Sequence, residues 1–265
     1  MPEHDFLSLL SIAKESALLA GKLLSADIPE NRRIHKEFAH DVKIEADIRS
    51  ERIIIDYLMK KSGFSILSEE KGMIQRDIKD YLWIVDPVDG SLNYTRQIPL
   101  CCVSIGLWKK EKPVLGVIYD FSRAELFSGI VDRGAWLNEQ EIKVSANKTK
   151  QKSILCTGFP GKLDLSTDNL NVFIEQIQSY RKIRLLGSAA LSMAYVACGR
   201  TDAYYERDIM LWDIAGGIPI ILGAGGHVHI EKTLTPYCFN VYITNGHIKI
   251  NGKADSPYKV LTNRK

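Results

Sequence analysis

The stretch Trp83–Arg96 reads W-I-V-D-P-V-D-G-S-L-N-Y-T-R. A buried-strand pattern, Y-L-W-I-V-D (81–86), runs straight into two carboxylates, Asp86 and Asp89, with Pro87 between them and Gly90-Ser91 behind them. Pro87 fixes φ and holds the chain so that both acids can point to one side. Gly90 has no side chain, so an anion can approach the backbone. Ser91 and Asn93 suit the first turn of a short helix, whose N–H groups favour anions. Taken alone, the segment reads equally well as an acidic turn or as a site for metal-assisted phosphate chemistry.

Other acids collect at element ends: Asp41 and Asp47, the pair Glu69-Glu70, and Asp213. Carboxylates brought within a few ångströms raise one another's pKa unless a cation neutralises them. Such oxygen-rich sites suit Mg²⁺ or Mn²⁺, whereas Zn²⁺ recruits His and Cys. His227-x-His229 is the one close histidine pair; alternation on a strand puts both on one face, and a structural role is expected.

The remaining composition narrows the function class. Of 265 residues, 45% are apolar and 25% charged, enough for a sizeable core. The net charge of +3 is spread along the chain, with no clustered basic element for a nucleic-acid polymer. No apolar run approaches the ~20 residues of a bilayer span, and the acidic start M-P-E-H-D is unlike a secretory leader. Five cysteines without C-x-x-C spacing read as reduced structural thiols, and a cytoplasmic setting is expected.

Periodicity predicts an amphipathic helix over 3–25 and a loop over 29–42. A second helix is expected from about Lys43 to Lys60, with Ile48, Ile54, Ile55 and Leu58 as its stripe and Ser62-Gly63 as its stop. Strands follow at 64–68 and 81–86, then antiparallel hairpins from Cys101. The polar stretch Asn147–Lys152 divides an α+β part from an α/β part. The latter has strands near 153–157 and 182–186, helices near 167–180 and 188–199, a helix over 213–223 and short strands in the last ~40 residues. Pro219 is awkward within that helix.

These landmarks together resemble the inositol monophosphatase family of Mg²⁺-dependent, lithium-sensitive phosphatases. W-I-V-D-P-V-D-G-S-L-N-Y is similar to the family's first signature, W-x-x-D-P-x-D-G-T/S-x-N-F/Y. L-W-D-I-A-G-G (211–217) with G-A-G-G (223–226) is similar to the second, W-D-x-A-A/G-G followed by E-A-G-G. S-E-E-K-G (68–72), D-V-K-I-E-A-D (41–47) and the run 187–206 follow the pattern too, so the resemblance extends from about residue 36 to 226. It implies a layered αβαβα sandwich of the sugar phosphatase type, α/β and α+β, with closely packed subdomains at 1–147 and 148–265. It also implies two or three Mg²⁺ ions, for which Mn²⁺ can substitute, a homodimer, and a small phosphomonoester as the substrate.

Residue by residue, the resemblance makes Glu69, Asp86, Asp89, Asp213 and the Val88 carbonyl metal ligands. Ser91 and Asp47 would activate the attacking water, with Glu69 also serving catalysis. Gly90 and Ser91 would hold the phosphate, while Glu206 and Ala189 would meet the rest of the substrate. Lys36 falls where a loop lysine lies near the metals, and Glu70 is left as an outer or structural acid. Ser91 keeps the hydroxyl of the usual Thr; Ile44 replaces a Thr and Gly223 a Glu. Gly216, Gly217 and Pro219 are expected to loosen the helix bearing Asp213.

The activity implied is hydrolysis of a small polyol phosphate, foremost inositol monophosphate, by metal-activated water. Fructose-1,6-bisphosphatase, histidinol-phosphate phosphatase and 3′(2′),5′-bisphosphate nucleotidase are the alternatives within the family. A metal- or phosphate-binding regulator on the same fold is the non-enzymatic one. A generic nucleotide-binding module ranks lower, because G-x-G-x-x-G after a first strand is missing.

Overall fold

A computed structural model describes residues 5–26, 28–37, 42–75, 78–159 and 167–248. Helix α1 (Phe6–Ser25) starts at an Asp5 cap whose carboxylate accepts from the Leu7 N–H. A short turn at Pro29–Arg32 leads to the hairpin β1 (Ile34–Glu37) and β2 (Val42–Ile44). A loop was expected there. The strands escape a period-two reading because β1 is exposed on both faces, so no apolar alternation marks it. Asp41 lies outside the described residues.

Helix α2 (Glu45–Ser62) ends where expected: Gly63 takes a left-handed φ of 67° and its N–H bonds back to the Met59 carbonyl. Its buried stripe differs from the expected one. Ile48 faces outward at 37% exposure, and the inward positions are Ala46, Asp47, Ser50, Glu51, Ile54, Ile55 and Leu58.

The chain then builds a large sheet from β3 (Phe64–Ser68), β4 (Gly72–Ile74), β5 (Ile78–Asp89), β6 (Cys102–Lys109), β7 (Lys112–Asp120), β8 (Glu125–Ile130), β9 (Gly134–Leu137) and β10 (Gln140–Glu141), with α3 (Ser91–Thr95) between β5 and β6. The strand order is β10-β9-β8-β7-β6-β5-β3-β4, antiparallel except between β3 and β5. A smaller sheet, ordered β12-β11-β13-β15-β14, uses β11 (Ile154–Thr157), β12 (Lys182–Arg184), β13 (Ala203–Met210), β14 (His227–Lys232) and β15 (Cys238–Thr244). Between these strands run α4 (Thr167–Gln178), α5 (Ala189–Ala197), α6 (Leu211–Ala215) and α7 (Gly217–Gly223).

Three apolar clusters give the layers. One joins α1 and α2 to the outer face of the large sheet, through residues such as Leu10, Ala17, Ile54, Trp83, Val103 and Ile105. The second fills the space between the two sheets, where α5, α6 and α7 lie with Ile84, Ile118, Phe127, Met193, Tyr204 and Val241. The third places Phe173 and Ile177 of α4 on the far side of the small sheet, against Leu155, Tyr205 and Tyr242. The layers therefore run αβαβα, as the resemblance implied. The histidines His227 and His229 are alternate residues of the edge strand β14, and all five cysteines are free thiols, four of them buried. Among the described residues, no helix is long and apolar enough to cross a membrane.

The expected helix over 213–223 forms as two pieces, interrupted at Gly216. Pro219 falls in the first turn of α7, where its missing N–H is no loss. The glycines are required by packing. Gly106, Gly116 and Gly129 are cross-strand neighbours, and with Ala135 they form a row of small residues over β6–β9. The backbone of α6 and α7 lies directly on that row. A Cβ at Gly106 would sit 2.4 Å from the Ala215 carbonyl oxygen, one at Gly116 would sit 2.0 Å from that of Gly216, and one at Gly129 would sit 2.6 Å from the Ile220 Cα. Trp108 Nε1 donates to the Ala215 carbonyl at 3.2 Å from the same sheet face. Gly216 and Gly217 themselves interrupt the helix as expected, and close packing also requires them: a Cβ at Gly216 would sit 2.5 Å from Ser104 Oγ and one at Gly217 2.5 Å from Met193 Cε.

Gly116→Ala is expected to lower stability by about 1–3 kcal/mol or more in urea denaturation, since neither backbone can yield without moving a layer. An unchanged unfolding midpoint would contradict this packing.

Candidate active site

Asp86 and Asp89 reach one face of the large sheet through a β-bulge. Three residues apart, they would fall on opposite faces of a regular strand. Asp86 pairs with Ser104 and Asp89 with Cys102, so β5 advances three residues while β6 advances two. The extra residue in Pro87-Val88 resets the alternation and turns both carboxylates toward the layer between the sheets. The Val88 N–H donates to Asp86 Oδ1 at 3.0 Å, which ties the bulge to the acid it aims.

Gly90 follows with φ 89°, and a Cβ there would lie 2.8 Å from the Leu100 carbonyl oxygen. Its glycine is thus demanded by backbone conformation and close packing as well as by any anion. Ser91 opens α3, with its Oγ 2.9 Å from Asp47 Oδ1 and 2.9 Å from the Val88 carbonyl. Asp47 Oδ2 accepts the Ile44 N–H at 2.8 Å, capping α2 and fixing the carboxylate toward Ser91. The change of a usual Thr to Ile44 therefore leaves the backbone donor intact. Asn93 bridges two loops, its Nδ2 donating to the Leu100 and Leu186 carbonyls at 2.8 Å each.

The second half of the chain delivers the other groups. Asp213 is the third residue of α6 and accepts the Met210 N–H at 3.0 Å. Ser188 caps α5, its Oγ donating to Asp89 Oδ2 at 2.5 Å. The N–H groups of Ala189 and Ala190 donate to Asp89 at 3.3 and 2.8 Å, so Ala189 is joined to Asp89 by its backbone. Glu206 Oε2 accepts from the Tyr204 hydroxyl at 2.7 Å, and a Cβ at Gly158 would lie 2.1 Å from Glu206 Oε1. Glu70 forms an ion pair with Lys43, and Lys36 lies on the exposed strand β1 opposite Lys43.

Electrostatics links these acids. Burial holds the Asp86 carboxyl well above the usual range, and the charges of Glu69, Asp89, Asp213 and Asp47 push it further. Asp213 is raised by burial and then by Glu69 and Asp89. Asp89 is raised by burial, against which Ser188 and the Ala190 and Ala189 N–H groups pull down. Burial also pushes Glu206 up, to about 7, with Tyr204 opposing. Among the described residues no three or more acidic, histidine or cysteine side chains stand ready-made as a metal cage. The acids are instead close enough to raise one another, which is the condition that a cation relieves.

The donor chemistry defines which cation fits. Every candidate is an oxygen: the carboxylates of Glu69, Asp86, Asp89 and Asp213, and the Val88 carbonyl. The neighbouring Cys102 hydrogen-bonds to Asp89 at 3.6 Å, but burial and the nearby charges hold its thiol well above its ordinary value. A protonated thiol is a poor ligand, so the set suits a hard divalent ion.

Five positions escaped the sequence reading: Ser188, Cys102, Tyr204, Gly158 and Glu51. Ser188 had a usable signal, since G-S-A-A-L is a helix start. Tyr204 had one too, since it stands two residues from Glu206 on the same strand; Cys102, Gly158 and Glu51 meet partners far along the chain and left no local trace.

The model of the inositol monophosphatase family matches residues 6–247. An inositol-1-monophosphatase of Synechocystis is 37% identical over 227 residues, covering 84% of this chain and 79% of that protein. A Nus factor SuhB of Xylella fastidiosa is 36% identical over 223 residues, covering 83% and 80%. The structure of an inositol monophosphatase from Anabaena (Nostoc) superposes with a TM-score of 0.80 at 36% identity, covering 95% of this chain and 94% of that one. With Asp86, Asp89, Ser91, Asp47 and Asp213 in one neighbourhood and a family match over nearly the whole described chain, the protein belongs to the inositol monophosphatase family of phosphomonoester hydrolases.

Proposed function

We propose that the chain hydrolyses a small polyol phosphate, foremost inositol monophosphate, with Mg²⁺ held by Glu69, Asp86, Asp89, Asp213 and the Val88 carbonyl. The observation that carries this reading is the convergence of Asp86, Asp89 and Asp213, whose carboxyls burial holds above the usual range, beside a Ser91–Asp47 hydrogen bond. Two or three Mg²⁺ ions, replaceable by Mn²⁺, would supply charge neutralisation and a more acidic water when bound. Ser91 Oγ takes a proton from the attacking water while passing its own to Asp47, whose second oxygen stays pinned by Ile44 N–H. The N–H groups of Gly90 and Ser91 face the phosphate, and Glu206 receives the substrate hydroxyls, with Ala189 lining the pocket. The bond from the attacking oxygen to phosphorus forms as the bond from phosphorus to the alcohol oxygen breaks; the leaving alkoxide takes a proton from a solvent water and Asp47 returns its proton to solvent, giving phosphate and free alcohol. Inhibition by Li⁺, a homodimer and a cytoplasmic setting complete the proposal.

Glu206 favours a polyol over the nucleotide alternatives because a carboxylate accepts hydroxyl hydrogen bonds. Fructose bisphosphate and histidinol phosphate share that chemistry and belong in the same substrate panel. The relative named Nus factor SuhB supports a regulatory second reading. The buried acids weigh against a purely structural scaffold, since uncompensated carboxylates are costly to keep.

Phosphate release with Mg²⁺ is expected from inositol monophosphate above the rest of the panel. Asp86→Asn is expected to remove nearly all turnover, and Ser91→Ala to lower kcat by about 10²–10⁴-fold. No release from any phosphomonoester with Mg²⁺ or Mn²⁺ would overturn the enzymatic reading and leave the regulator.

Glu206 also predicts a pH effect in metal-free protein. Its native carboxyl keeps a proton up to about pH 7, against an ordinary value of 4.5. Between those values the native state binds more protons than the unfolded one, so stability falls as pH rises through the window. Glu206→Gln should therefore gain on the order of 1–3 kcal/mol over the wild type at pH 8 relative to pH 4.5. Urea melts at both values measure it, and a pH-independent difference would refute it.

A further inference from the structure

We infer that Glu51, supported by Ser50, is a positioning residue that sets the turn carrying Glu69 at a fixed offset from the strand carrying Asp86. The inference deepens the phosphatase proposal and rests on it for the roles of Glu69 and Asp86. Helix α2 buries one continuous stripe, Asp47, Ser50, Glu51, Ile54, Ile55 and Leu58, at helical spacing. Its second half is apolar and needs no further reason. Its first half is equally buried but, Ala46 aside, polar, with Asp47 at 2%, Ser50 at 0% and Glu51 at 1% exposure.

Each polar residue grips a different segment of the site. Asp47 receives Ser91 of α3 at 2.9 Å. Ser50 Oγ donates to the Pro87 carbonyl, inside the β5 bulge, at 2.8 Å. Glu51 Oε1 accepts the Lys71 N–H at 2.9 Å, two residues beyond Glu69, and its Oε2 lies 4.0 Å from the Lys71 ammonium. From the other side, the Glu69 N–H bonds the Val85 carbonyl at 3.2 Å. Residues i, i+3 and i+4 of one rigid helix thus gauge the spacing between the turn at Lys71 and the separate stretch from Pro87 to Ser91. An apolar residue at position 51 would pack as well and avoid burying a charge, but would release the turn.

The test measures Mn²⁺ affinity of metal-stripped protein by calorimetry, phosphate release with Mg²⁺, and urea stability for Glu51→Ala, Glu51→Gln and Glu51→Asp. Glu51→Ala is expected to weaken Mn²⁺ binding by about 10–100-fold and lower kcat, with KM nearly unchanged. Glu51→Gln keeps an oxygen for the Lys71 N–H and is expected to restore most of both. Glu51→Asp keeps the charge but is one methylene shorter, and should weaken Mn²⁺ binding even where Glu51→Ala fails to fold. Reduced stability with Mn²⁺ affinity and kcat intact in Glu51→Asp would overturn the inference. A wild type that binds Mn²⁺ but hydrolyses nothing would sink the phosphatase proposal alone, and the affinities would still judge Glu51. A wild type that does neither would overturn both.

Discussion

The backbone of α6 and α7 rests directly on the large sheet, and the rest of the site depends on that contact. Gly106, Gly116 and Gly129 leave no side chain between sheet and helix, so carbonyl oxygens of one layer meet α-carbons of the other. The separation of these layers is therefore set by backbone van der Waals radii, which do not adjust. Asp213 rides on α6 at that height, on the same side of the sheet to which the β5 bulge turns Asp86 and Asp89. Carboxylates from opposite ends of the chain are thus brought together by packing that no rotamer change can relax.

That proximity carries an electrostatic cost. Asp86, Asp89 and Asp213 are all raised by burial, and neighbouring acids push Asp86 and Asp213 further. The fold offsets the cost unevenly. Asp89 receives Ser188 and the first N–H groups of α5, and Asp213 receives the Met210 N–H. Asp47 is engaged by Ile44 and Ser91. Local hydrogen bonds fix where the oxygens point, while the remaining repulsion is what makes the cluster receptive to cations. Orientation and affinity thus come from separate physical sources.

Much of this was legible in the chain. Helix α1, the stop at Gly63, the strands flanking Asp86 and the hairpins after Cys101 follow from periodicity and turn chemistry, because each is decided within a few residues. What failed did so for identifiable reasons. The hairpin of β1 and β2 has no buried face in β1 and hence no alternation to read. On α2 apolarity points to Ile48, which is 37% exposed. The true inward positions Ser50 and Glu51 are polar and are buried only because distant backbone groups meet them. Gly216 and Gly217 do interrupt the helix, but what the sequence could not show is that close contacts with Ser104 and Met193 require them there and that Pro219 sits in a first turn.

The sequence by itself determined the chemical inventory: acids at strand ends, a hydroxyl after D-P-V-D-G, a helix start at G-S-A-A, and the family to which they point. These are properties of residue type and short spacing, and they survive in one dimension. Only the tertiary structure decided which of the acids meet, that the bulge at Pro87-Val88 puts Asp86 and Asp89 on one face, and that Tyr204 and Gly158 confine Glu206. It alone placed Glu51 against the turn of Glu69. Those relations depend on strand register and on the distance between packed layers, and both are fixed by contacts between residues far apart in the chain.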